Sequence, residues 1–176
     1  MESQRLIYRA YTKEDDEFYA SMWGQPDIVR YIGKGLTKTK KEADRSLENW
    51  ILPGYKNGMG LFVIILKETG EPIGHAGLIP QTVEGRKETE IGYWLKKPFW
   101  GKGYASEAAG FFMSYGKSQL HQSRLISLIH PKNAASIAVV KKLGMVYEKT
   151  VFFNGSRTRV YATGQPLTLW EAFTCE

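Results

Sequence analysis

Cysteine is almost missing from this chain. A single thiol, Cys175, in 176 residues excludes a disulfide framework within the chain and a thiolate cluster for zinc. Nothing near Cys175 in sequence lowers its pKa, so it is not expected to carry an acyl group. Histidine is scarce too, with three in the chain, and no spacing of His, Cys, Asp or Glu suggests a metal site. Long apolar runs are absent: the longest, residues 61–66, is far too short to span a bilayer, and residues 1–11 carry charge throughout with no apolar core of a leader. These absences point to a soluble, cytoplasmic protein without metal and without a membrane partner. There is also no internal repeat, low-complexity tract or linker, so residues 1–176 read as one domain, long enough to bury a core unaided.

Acidic residues are outnumbered, 18 against 24 Lys and Arg, for a net charge of +6. The excess is spread over residues 34–41, 96–102, 141–149 and 157–159, a surface that should attract polyanions. No nucleic-acid module is recognisable, and aromatics are not interleaved with basic residues as in an RNA-binding strand. A phosphorylated small molecule explains the charge equally well.

The hydrophobic pattern alternates between strand and helix periods. Residues 6–11 read as a strand, and Thr12-Lys13-Glu14-Asp15 as a capping box opening a short helix through Met22. Gly24 and Pro26 break it, and a further short helical piece covers residues 27–32. Thr39-Lys40-Lys41-Glu42 is a second capping box, with Ala43, Leu47, Trp50 and Ile51 on one helical face and an end near Pro53. These early helices could form a movable flap beside a sheet. The continuous apolar run 61–66 fits a strand covered on both faces, and residues 72–79 return as its hairpin partner. Residues 81–87 read as a polar loop. In the strand 88–95, a period of two puts Glu88, Glu90, Gly92 and Trp94 on one face. A helix from Ala105 to about Leu120 buries Ala108, Ala109, Phe112, Met113 and Gly116. It then crosses over to a parallel strand at residues 124–129. A helix over residues 134–143, with Ala135, Ala138, Val139 and Leu143 inward and Gly144 at its end, precedes a strand at 146–153. Asn154-Gly155 turns that strand back along residues 158–163.

The chain is organised around the passage from the strand 88–95 into the alanine-rich helix, through Trp100-Gly101-Lys102-Gly103-Tyr104-Ala105. The first amides of a helix lack intrahelical partners and carry the positive end of the dipole, and two glycines let a diphosphate approach them. A dinucleotide fold would need a third glycine and an acid roughly 20 residues on, and a P-loop needs Gly-Lys-Ser/Thr. The chain has neither, so the expected ligand is a phosphorylated cofactor held by a loop of another kind.

Three blocks carry a resemblance: Glu90-Ile91-Gly92-Tyr93-Trp94-Leu95, then residues 100–108, then Asn133-Ala134-Ala135-Ser136 with Lys142-Leu143-Gly144. In this order and spacing they resemble the GNAT acyltransferase superfamily, in its ribosomal-protein N-acetyltransferase (RimJ/RimL-like) branch. The resemblance is close over residues 88–148 and extends to the earlier part in outline. It implies an α/β (α+β) fold: a mixed, mostly antiparallel sheet of about seven strands flanked by helices, with two splayed parallel central strands. The acetyl-CoA arm would lie between residues 88–95 and 124–129. The backbone of Trp94 and Leu95 would bind pantetheine, and the amides of Trp100, Gly101, Lys102, Gly103, Tyr104 and Ala105 the pyrophosphate. Asn133 would meet the cofactor arm, Ser136 would lie near its sulfur, and Lys142 would be a partner for the adenosine phosphates. One departure is Pro98, where the family often has Arg or Gln.

The implied reaction moves an acetyl group from acetyl-CoA to a primary amine, on a protein N-terminus or a small molecule, by direct attack in a ternary complex. The amine needs a base, the tetrahedral oxyanion a donor and the departing thiolate a proton. Glu90 is the first choice of base, with Glu88 second; Ser136 is the candidate acid, and an amide near residues 93–95 the oxyanion donor. Each has a structural alternative: solvated strand residues for Glu88 and Glu90, a helix N-cap for Asn133, a first-turn polar residue for Ser136. His75 reads as a buried, hydrogen-bonded residue and Trp23, Trp50 and Tyr55 as packing aromatics. Two other functions fit less of the sequence: a CoA-binding sensor of low activity, suggested by Pro98, and a basic nucleic-acid-binding domain. Monomer and homodimer stay open, since Leu167, Leu169, Trp170 and Phe173 could pack within the chain or on a second copy.

Overall fold

A computed structural model describes residues 1–164; Cys175 and the apolar group Leu167, Leu169, Trp170 and Phe173 lie outside them. Seven strands, β1 (Leu6–Ala10), β2 (Gly60–Leu66), β3 (Pro72–Val83), β4 (Arg86–Leu95), β5 (Ile126–Ile129), β6 (Val146–Phe153) and β7 (Ser156–Ala162), form one sheet. Their order is β1-β2-β3-β4-β5-β7-β6. Every neighbouring pair is antiparallel except β4 and β5, which run parallel. The α/β architecture inferred from the sequence is therefore present.

Helices cover both faces. On one lie α4 (Tyr104–Ser118) and α5 (Ala134–Lys142), whose Ala108, Ala109, Phe112 and Val140 pack on Ile64, Ile73, Leu78 and Ile91. On the other lie α1 (Asp16–Trp23) and α3 (Lys40–Ser46), with Tyr19 and Ala43 against Leu61, Val63 and Ile79. β2 thus sends side chains into both layers, which is why residues 61–66 are apolar without alternation. The short α2 (Pro26–Val29) packs beside α1.

Three expectations change. Residues 81–87 are not a loop: β3 and β4 stay paired to Val83 and Arg86, with Glu84 and Gly85 alone forming the turn. Both turn residues have positive φ, +48° and +80°, the geometry of a tight two-residue hairpin. Glu is uncommon at such a φ, so the turn gave no sequence signal. The α3 helix does not continue regularly; at residues 47–51 it widens into a π turn, closed by Leu52 N–H on the Leu47 carbonyl. The extra residue rotates Trp50 off the inward face, leaving it half exposed while Leu47 and Ile51 stay buried. In α5 the buried residue is Val140, and Ala135 and Ala138 face out. A two-turn helix apolar all round gives no unique inward face from periodicity.

Candidate active site

One residue pair, Glu90 and Ile126, joins β4 to β5. Next to it the Ser127 hydroxyl donates to the Ile91 carbonyl at 3.1 Å, a side chain standing in for the ladder that would otherwise continue. Beyond that point the strands separate. Lys96 N–H bonds the Ile73 carbonyl on β3, and a Cβ at Gly74 would strike the Trp94 carbonyl. Backbone groups alternate in direction along a strand, so Trp94 turns its own toward β3, while Tyr93 and Leu95 turn theirs into the gap. Of these, the Leu95 carbonyl already accepts from the Trp100 indole at 2.7 Å.

A cleft of about 480 Å³ opens at the gap, lined by Tyr93, Trp94 and Leu95 on one side and Asn133 and Ser136 on the other. Its end is closed by Trp100, Gly101, Gly103, Tyr104 and Ala105. Pro98 sits in a single 3-10 turn, residues 97–99, where its missing N–H is tolerated. Gly101 and Gly103 both have positive φ, +74° and +83°, and Gly103 is the N-cap of α4. A cap without a side chain leaves the amides of Tyr104 and Ala105 open to a ligand. Asn133 caps α5, accepting from Ser136 N–H at 3.1 Å, so its cap role and its place in the cleft coexist. Lys102 and Lys142 are exposed and line neither this cleft nor its neighbour.

The second cleft, also about 480 Å³, meets the first at Ile28, Tyr31, Tyr93, Trp94, Asn133 and Ser136. Glu90 forms part of its wall. The carboxyl is 8% exposed, accepts from Gln81 Nε2 at 2.7 Å, and has its pKa raised by burial from 4.5 to about 7. The Gln81 contact and the Leu128 backbone oppose that rise. Trp94 leans back over Gly92, where a Cβ would lie 2.9 Å from the indole edge, so Gly92 makes room for the aromatic wall. Glu88 lies on the same face but outside both clefts, with Arg124 3.1 Å from its carboxylate and Glu148 2.8 Å from the same guanidinium.

His75 is buried, shares a 2.8 Å hydrogen bond with the Tyr11 hydroxyl and has its pKa lowered by desolvation to about 3. It is a neutral core residue, as its strand position suggested. Tyr93, whose side chain received no role in the sequence reading, stands where the clefts meet and donates to the Ser136 carbonyl at 3.2 Å. Burial raises its phenol well above the usual range, so it keeps its proton at neutral pH. Also missed was a clasp on the loop that leads into α4. Glu107, in the first turn of α4, accepts from Ser3 Oγ, Arg5 N–H and Arg5 Nε at 2.7 Å each, and Arg5 Nη1 reaches the Lys102 carbonyl at 3.1 Å.

A splayed parallel pair, a glycine-bounded helix start at its mouth and a buried acid beyond thus line two clefts that meet. The family model for the acetyltransferase (GNAT) domain matches residues 5–146. This chain belongs to the GNAT family. It is similar to YkkB of Bacillus subtilis, 36% identical over 85% of this chain and 86% of that protein. It is also similar to the N-acetyltransferase p20 of Bacillus licheniformis, 32% identical over 83% and 82% of the two chains. Among solved structures, the ribosomal L7/L12 α-N-protein acetyltransferase RimL, in complex with coenzyme A, shares the fold. The TM-score is 0.74 at 18% identity, over 91% of this chain and 94% of that one. As a GNAT enzyme the protein is an N-acetyltransferase with acetyl-CoA as cosubstrate.

Proposed function

We propose that acetyl-CoA occupies the gap between β4 and β5 and that a primary amine enters by the second cleft. The reading rests on one observation: a buried carboxyl with its pKa near neutrality, Glu90, lines the cleft that meets the gap at Tyr93 and Trp94. The pyrophosphate lies on the amides at the start of α4, and the pantetheine runs along the backbone edge of Tyr93 and Leu95. Trp94 contributes its side chain as the shared wall rather than its backbone. Glu90, directly or through one water, takes a proton from the acceptor ammonium.

The freed amine attacks the thioester carbonyl. A C–N bond forms, the oxyanion is met by a gap-facing amide of β4, and the C–S bond then breaks. The departing thiolate takes a proton from a hydroxyl where the clefts meet, Ser136 or the neighbouring Tyr93 phenol, and that oxygen is reprotonated by the second proton, which the attacking nitrogen sheds as the neutral amide forms. Glu88 has no part in this sequence, because Arg124 engages its carboxylate away from both clefts. The acceptor is an amine on a protein N-terminus or a small molecule.

Calorimetric titration with acetyl-CoA, with NAD and ATP as controls, followed by thiol release over an amine panel, tests the assignment. Selective acetyl-CoA binding and amine-dependent thiol release are expected. Binding without release for any amine would instead favour a CoA sensor.

A further inference from the structure

The acceptor cleft holds a cation that the transfer chemistry does not use. Lys38, in the segment between α2 and α3, lines the same cleft as Glu90. Its backbone N–H is pinned to the Trp23 carbonyl at 3.1 Å. Its ammonium sits 3.8 Å from the Trp23 ring centroid and donates to Ser46 Oγ at 3.0 Å. Among the described residues no carboxylate lies within ion-pair distance of it. Half-buried, with neutral groups as its direct partners, the ammonium has a lowered pKa because desolvation penalises its charge, which the more distant Glu42 carboxylate only partly offsets. A cation held this way costs stability unless an anion pairs with it directly.

We infer that the acceptor is an aminocarboxylate, an amine whose own carboxylate pairs with Lys38 while its ammonium faces Glu90. Among the described residues lining the cleft, Lys38 and Glu90 are the one basic and one acidic side chain beside His130, and Trp23, Tyr31, Trp50 and Phe153 offer an aromatic surface for the rest of the molecule. Two sources share this chemistry: a free amino acid with an apolar side chain, and a peptide whose first residue carries a carboxylate. The inference rests on the proposed acceptor cleft, and its test is arranged to fail separately from it.

Binding to the protein saturated with CoA is measured by calorimetry for two matched pairs, phenylalanine against phenylalaninamide, and Asp-Ala-Ala-amide against Asn-Ala-Ala-amide. The carboxylate member of one pair should bind about tenfold more tightly or better, as a charge-assisted contact supplies. The pair that shows the preference identifies the source. In Lys38→Met the ratio should fall to within about twofold, and in Lys38→Arg it should persist. Each ratio is taken within one protein, so partial misfolding of a variant cancels. Equal binding within both pairs, no binding of any member, or a preference that survives Lys38→Met would overturn the inference. Binding with the expected preference but no acetyl transfer would sink the catalytic reading of Glu90 and leave this one standing.

Discussion

Glu90 carries the sharpest expectations at the scale of single residues. Replacing it with Gln keeps its size and its place beside Gln81 but removes the base, so turnover should fall by roughly 10²-fold or more while acetyl-CoA binding changes little. Equal loss of both in calorimetry and steady-state assays would remove Glu90 from the proton path. In the native enzyme kcat/KM should rise with pH through about 7, as the carboxyl ionises. The Gln81 amide favours the charged form, so Gln81→Ala should move that rise to higher pH, which a pH–rate profile reads directly. Gln81 was hidden in the sequence because residues 81–87 read as a loop. Once the Glu84-Gly85 turn fixes the register, Ile79 faces Glu90 and Gln81 becomes its diagonal neighbour.

At the scale of elements, the start of α4 is the part most legible in sequence and the part whose support is least so. Gly101 and Gly103 mark the turn into α4 through residue type alone, since both take positive φ and Gly103 is the helix N-cap. Gly103→Val would strain a left-handed N-cap and fill the approach to the amides, so acetyl-CoA binding should be lost by calorimetry while circular dichroism stays native. The clasp that steadies this turn is a long-range contact between Arg5 and Glu107, which no local pattern encodes. Arg5→Ala should raise KM for acetyl-CoA several-fold with little change in kcat; an unchanged KM would mean the clasp is structural only. The β2–β3 and β6–β7 hairpins were readable because their turns are marked locally, whereas the full length of the β3–β4 pair was not, its Glu84-Gly85 turn carrying no signal. The π turn that frees Trp50 was not readable either, because nothing in the apolar spacing of residues 43–51 marks the inserted residue.

At the scale of the whole molecule, two buried titratable groups pull stability in opposite directions. His75 has a folded pKa of about 3 against 6.5 when unfolded, so the unfolded chain binds more protons between these values, and stability is lost as pH falls below 6.5. Glu90 has a folded pKa of about 7 against 4.5, so the folded chain binds more protons in that window, and stability falls as pH rises through it by about 3 kcal/mol. The two slopes cancel between 4.5 and 6.5. Urea midpoints should therefore be nearly flat there for the native protein, whereas Glu90→Gln should climb across the same range and exceed it above pH 7. The sheet is two plates, β1 to β4 and β5 to β7, joined by one ladder pair and the Ser127 bond beside it, and on the proposed reading the cosubstrate arm completes the seam. Without acetyl-CoA the plates should rock against each other, and the amides of Tyr93 and Leu95 should exchange with solvent deuterium far faster than those of Trp94. Saturation with CoA should slow both together.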